Sequence, residues 1–224
     1  MIGARWTSAA VAGIAVAAGL TACSDDTAPQ PDPADSAGSA TVQTPASSEC
    51  DRTPDRGTIE RTGYGLRYTT GSLTVSLRPA DGAASCLRFT KSGPADPQVP
   101  PDSLLFTFSG GPGQGAQLEF LAVDLSPAIL PPLGDGQVRR YRQVSAPIPA
   151  QVGVAVHGNY FHTDHCTLAL AAVSKARAAG RFDCPQAYAS PANPFDPSDD
   201  VDYEGQDTPH PATAALSGWF EIRP

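Results

Sequence analysis

Between residues 73 and 222 runs of apolar side chains at every second position recur, and this constrains the fold more than any other feature. Leu73, Val75 and Leu77 alternate with Thr74 and Ser76, and Leu87 and Phe89 continue after a turn at Asp81-Gly82. Leu104, Phe106 and Phe108 follow, then Leu118 and Phe120, then Val152, Val154 and Val156, then Leu168 and Leu170, with Phe220 and Ile222 in the last segment. Successive side chains of a strand point to opposite faces, so such runs, bounded by Gly, Pro and Asp, predict half-buried strands. The expected class is all-β: an antiparallel β-sandwich or a partly open barrel.

One segment is ambiguous. Thr167 to Arg181 is Ala-rich and would suit a helix on propensity alone. Folding residues 166–184 about Lys175, however, sets Cys166 against Cys184, Leu168 against Phe182 and Leu170 against Gly180. Opposed Cβ atoms of an antiparallel pair lie roughly 4.5–5.5 Å apart, close to what a disulfide needs. A helix would hold the two cysteines about 27 Å apart. A disulfide-closed hairpin is therefore predicted. Gly180-Arg-Phe182-Asp-Cys184 is echoed by Gly218-Trp-Phe220-Glu-Ile222. Both read as strands with Phe inward and glycine under a neighbouring ring, and the pair as neighbours in one sheet. Trp219 would then face the other side, lining a groove or covering a second sheet face.

The chain contains five cysteines. Cys23 sits in a terminal motif taken up below, and the remaining four are an even number, which would make two disulfides in an oxidising compartment. Of the three connectivities, Cys50–Cys86 with Cys166–Cys184 is favoured. Thiolate metal ligation is disfavoured, since no pair has CxxC spacing.

The first 22 residues have a positive n-region ending at Trp6 with Arg5, then an uncharged apolar run, TSAAVAGIAVAAGL. That is a secretory signal peptide pattern, too short for a transmembrane helix of about 20 residues. Leu20-Thr-Ala-Cys23 resembles the lipobox of bacterial lipoproteins. The resemblance implies cleavage before Cys23, a diacylglyceryl group on its thiol, and a lipid anchor at the outer face of the cytoplasmic membrane. Residues 24–49 (SDDTAPQPDPADSAGSATVQTPASSE) lack aromatics, Leu and Ile. They read, with Cys23, as a disordered tether, with a span on the order of 28 Å. Residues 50–224 are left as a single β domain, interrupted by an acidic, proline-rich loop over 185–213. Lipobox, tether, two-disulfide β domain and terminal Gly-x-Phe strand together resemble small envelope lipoproteins of mycobacteria and related actinobacteria, which implies location more than chemistry.

Formal net charge is −8, and loss of residues 1–22 removes Arg5 and no acid, leaving −9. With two lysines and no basic cluster, the chain is poorly suited to nucleic acid or anionic lipid surfaces. Membrane attachment would rest on the acyl chains, each buried CH₂ contributing about 0.8 kcal/mol.

Three segments carry candidate chemistry. His157, His162, Asp164 and His165 fall within nine residues, and imidazole with carboxylate suits zinc or copper. In a regular strand His162 and Asp164 share a face and His165 points away, so three ligands need a turn, for which Gly158 and Asn159 are suited. Asp200, Asp202 and Glu204 alternate before Gly205 as in a calcium loop, but Pro211 stands where an EF-hand places its bidentate Glu, so a solvated acidic loop is the simpler reading. Ser109-Gly-Gly-Pro-Gly113 resembles the oxyanion-loop segment of proline-iminopeptidase-type hydrolases. It has Ser109 where that motif has His, and the chain has no G-x-S-x-G elbow. A turn or bulge between strands explains it better. With no Ser-His-Asp order, P-loop or dinucleotide fingerprint, the expectation is a non-enzymatic binding or structural envelope lipoprotein without a required cofactor. A zinc- or copper-binding lipoprotein is the alternative.

Overall fold

The computed structural model describes residues 41–60, 64–99, 102–125, 147–196 and 211–224. The alternating segments become strands β1 (Thr70–Pro79), β2 (Ser85–Ser92), β4 (Ser103–Gly111), β5 (Gln114–Leu121), β6 (Ile148–Val156), β7 (Asn159–Ser174), β8 (Arg177–Ser190) and β9 (Thr213–Arg223), with a short β3 (Gln98–Val99). Their order is β2-β1-β9-β8-β7-β6-β5-β4-β3, every ladder is antiparallel, and a further pairing of β2 with β4 closes the wall. The result is a closed eight-stranded antiparallel barrel with β3 as an extra strand on β4. The all-β antiparallel expectation holds, and the barrel is closed.

The alternating apolar residues all face the interior. Leu73 lies opposite Phe89 and Phe220, Phe106 opposite Leu118, Val154 opposite Phe161, and Leu168 opposite Phe182. Phe106 meets the rings of Phe220 (5.7 Å), Tyr68 and Phe120 (5.9 Å each), so the strands enclose packed side chains. Leu66 and Tyr68, just before β1, and Leu125, in the 3₁₀ turn after β5, are buried at one end of the barrel. The Tyr68 hydroxyl donates to the Ser174 carbonyl there (2.6 Å). Polar residues such as Arg88, Thr107, Gln117 and Glu221 take the outward positions, the reverse of a membrane-spanning barrel.

Both disulfides pair as expected, Cys50–Cys86 and Cys166–Cys184. The second joins β7 to β8 with Cα atoms 4.3 Å apart, the spacing of a non-hydrogen-bonded antiparallel pair. Leu168 faces Phe182 and Leu170 faces Gly180, as the symmetry requires. Beyond them a register shift at Ala171 moves the turn to Lys175-Ala176, between paired Ser174 and Arg177. The Gly-x-Phe echo is a cross-strand pair: Gly180 faces Phe220 and Phe182 faces Gly218.

Two boundaries differ from the expectation. Residues 41–49, assigned to the tether, pack on the barrel. The Val42 amide donates to the Gly110 carbonyl (2.7 Å), Gln43 pairs with Arg88, and α1 (Ser47–Cys50) leads into the first disulfide. Backbone bonds and a covalent link to β2 hold a segment whose composition alone could not order it. The second boundary is the acidic loop. Pro185 to Ser190 continue β8, and β9 begins at Thr213. Pro185 is tolerated because Pro185 and Gln186 stand together opposite Ala215, a bulge where proline needs no ladder bond. The expected signal peptide and residues 23–40 of the expected tether lie outside the described residues, as do residues 197–210 of the loop.

Candidate functional surface

The barrel interior is packed with apolar side chains, and the described candidate residues lie on its outer wall and in its turns. The histidine segment spans the β6–β7 hairpin. His157 (φ 52°) and Gly158 (φ 75°) are the two turn residues between paired Val156 and Asn159, both left-handed as a tight hairpin turn demands. His162 sits on the outer wall between Gly153 and Tyr188, stacked on the Tyr160 ring at 5.9 Å. Asp164 and His165 stand together opposite the single residue Gln151 of β6 and both turn outward. They contact each other at 3.4 Å, with side chains 65% and 82% exposed, so their attraction is screened by water.

This bulge corrects the expectation for the segment. His162 and Asp164 share the outer face as expected, but His165 turns outward beside Asp164 instead of pointing away, and His157 is held at the hairpin tip. His157, His162, Asp164 and His165 are not brought into a ligand set, and among the described residues no group of three His, Cys, Asp or Glu side chains could hold a metal ion. The calcium-loop residues Asp200, Asp202 and Glu204 lie outside the described residues. The Ser109–Gly113 segment is a bulged β4–β5 turn. Ser109 Oγ accepts the Gly111 amide there, at 3.5 Å.

What the wall does assemble is an aromatic group across β5, β6 and β7. Tyr160 lies flat over Gly153, where any Cβ would collide with its hydroxyl. The Gln117 side-chain amide donates to that hydroxyl (2.7 Å), and burial pushes the Tyr160 phenol up to about 12. Phe195 meets Tyr160 edge-on at 6.4 Å and covers Gly115. Asn193 fixes this approach by donating to the Gly113 carbonyl (2.9 Å) while accepting the Phe195 amide (3.0 Å). Tyr188, 45% exposed, and the half-buried His162 form the solvent-facing side. Sequence reasoning missed the group, although Gly153 inside an alternating strand was a mark of close approach by another side chain.

Towards the end closed by Tyr68, a shallow cavity of about 150 Å³ opens between β5 and β6, with Glu119, Asp124 and Asp164 among its walls. It is small beside ordinary ligand pockets, which run from about 300 Å³. Asp124 Oδ2 is buried with no hydrogen-bond partner among the described residues, and burial raises its carboxyl.

On the opposite wall Trp219 faces outward and is nevertheless buried, at 4% exposure. Its indole donates to the Glu49 carbonyl (2.7 Å), and the Arg52 guanidinium lies 5.0 Å from the ring centroid. Trp219 thus neither lines an open groove nor covers a second sheet face: the segment around Glu49 and Arg52 covers it.

Together these features define a class: an antiparallel eight-stranded barrel closed around its own side chains and fastened by two disulfides, one within the wall and one to a strap across it. No family model, curated protein or solved structure matches the chain.

Proposed function

We propose that this protein is a lipid-anchored, extracytoplasmic envelope lipoprotein that works by binding or by its presence at the surface, without turnover. The observation that carries the reading is the cysteine pairing. Four of the five cysteines are consumed as Cys50–Cys86 and Cys166–Cys184, which leaves Cys23, the cysteine of Leu20-Thr-Ala-Cys23, with no cysteine partner in the chain. Two disulfides accord with an oxidising compartment, and an unpaired cysteine in an exported protein calls for a separate role. Among the described residues no helix is long and apolar enough to cross a membrane, so attachment would rest on the acyl chains. The non-enzymatic part of the reading rests on the sequence, which has no Ser-His-Asp order, P-loop or dinucleotide fingerprint.

The test is expression of the full chain in an actinobacterial host, beside Cys23→Ala, followed by detergent phase partition and intact mass. The expected wild-type product begins at Cys23, carries the mass of two or three acyl chains and enters the detergent phase. Cys23→Ala should remain in the aqueous phase or uncleaved. A wild-type product that starts elsewhere, or lacks acyl mass, overturns the anchor. Turnover of an envelope substrate by the purified barrel would overturn the non-enzymatic part alone.

A further inference from the structure

The barrel wall has one seam. β2 and β4 pair only over Thr90–Ser92 with Thr107–Ser109. Towards one end β3 fills the gap, pairing Gln98 and Val99 with Leu104 and Ser103. Towards the other end residues 42 and 43 fill it, bonding to both sides. Val42 donates to Gly110 of β4 (2.7 Å), while Gln43 donates to Arg88 of β2 (3.1 Å) and accepts its amide (2.9 Å). The Val42 side chain packs against Gly110, where any Cβ would collide with it and with Phe89 of the core. The segment thus acts as a wedge strand that completes the wall.

From the wedge the chain crosses the outer surface as a strap. Glu49 pairs with Arg88 (3.1 Å), and Arg52 and the Glu49 carbonyl cover Trp219. Arg181 of β8 donates to the carbonyls of Arg52 (3.0 Å) and Cys50 (3.4 Å). The far end is bound along β7: Gly57 donates to Ala171 (2.9 Å), Val173 to Thr58 (2.9 Å) and Glu60 to Val173 (2.6 Å). Between the wedge and this far end, one covalent bond ties the strap to the wall, Cys50–Cys86.

We propose that residues 41–52 are a separable lock on the barrel seam, with Cys50–Cys86 as its catch. Without that bond the wedge and the cover over Trp219 come away, while the barrel stays closed. The inference stands independently of how the chain is anchored. Apart from the catch, the first half of the strap is held by separate single contacts and not by a continuous ladder. Its helix is a single turn, the Arg88–Glu49 pair is partly exposed, and net hydrogen bonds contribute about 1 kcal/mol each. The barrel relies on none of these: the central β2–β4 pairs, the meander from β4 to β9, the β9–β1 ladder and Cys166–Cys184 all lie outside the strap. Release stops at Gly57, where backbone pairing to β7 begins.

The experiment compares the oxidised full chain with two double variants, Cys50→Ala/Cys86→Ala and Cys166→Ala/Cys184→Ala, all carrying Trp6→Phe so that Trp219 is the single indole. Hydrogen exchange is followed at the amides of Val42, Gln43 and Arg88 and at Leu118 and Leu168, together with acrylamide quenching of Trp219. Removing Cys50–Cys86 should accelerate exchange at 42, 43 and 88 at least tenfold and expose Trp219, with Leu118 and Leu168 unchanged. Removing Cys166–Cys184 should leave Trp219 shielded. Unchanged protection of the strap, or loss of protection at Leu118 and Leu168 as well, overturns the lock. Val42→Asn in the oxidised chain is the independent arm. It should loosen residues 42 and 43 and leave Trp219 covered, because the catch lies beyond it. Exposure of Trp219 in Val42→Asn would show that the wedge, not the disulfide, is the catch.

Discussion

Glu221 shows how an outward-facing carboxylate can matter to a barrel with a filled interior. It accepts a 2.6 Å bond from Arg223 and lies 3.7 Å from Arg177, with its own side chain 18% exposed. The Arg223 bond, aided by the nearby arginines and opposed by burial, holds its carboxyl below the ordinary value of 4.5. A carboxylate lowered on folding contributes stability above its unfolded value and loses it as pH falls through the folded one. Glu221→Gln should therefore cost about 1 kcal/mol at pH 7, and the cost should vanish below the ordinary carboxylate range. Urea midpoints at pH 7, 5 and 3 check this, and a cost that is the same at all three would mean shape, not charge, is what Glu221 supplies. Much at this scale was legible. The inward residues announced themselves by period two, and Gly180 and Gly218 by their echo. Val42 did not, because one aliphatic residue in a Pro/Ala/Ser stretch carries no period; its partner is a glycine carbonyl 68 positions on, at Gly110.

Among the elements, the β6–β7 hairpin separates sequence chemistry from backbone need. His157 occupies a left-handed turn position that Asn or Asp fills more readily, followed by the Gly158 such turns favour. His157→Asn should stabilise the protein by about 0.5–1 kcal/mol. Calorimetric zinc titrations of the two forms should coincide, because His157 belongs to no ligand set; zinc affinity lost with the substitution would restore the metal-binding reading. The presence of a turn near Gly158 was legible, and the bulge after it was not. Asp164 and His165 opposite Gln151 shift the register by one, and in a strand one residue is the difference between inside and outside. The β7–β8 hairpin shows the reverse. Two cysteines at equal distances from Lys175 set its register as far as Leu170, since covalent symmetry constrains pairing where propensity points to a helix.

For the whole molecule, alternation cannot by itself distinguish a sandwich from a barrel, because both demand one apolar face per strand. Closure is settled by the pairings β9 with β1 and β2 with β4. The first joins strands more than a hundred residues apart and leaves no local mark. Cys166–Cys184, by contrast, closes a short loop inside one hairpin, and its removal by Cys166→Ala/Cys184→Ala should cost about 3 kcal/mol of global stability. Chemical denaturation of the double variant checks this. A loss under about 0.5 kcal/mol would mean that the β7–β8 ladder alone already confines the unfolded chain.

The neighbourhood of β1 and β9 also bears on the order of events in biogenesis. Synthesis proceeds from the N-terminus and delivers β1 long before β9, so one rim of β1, ten backbone-paired positions from Thr70 to Pro79, waits unpaired until the last strand has emerged. Unpaired strand rims attract other chains. The making of this chain thus contains an interval of vulnerability whose length is set by the time needed to deliver residues 80–213, and chaperones or crowding would act in that interval.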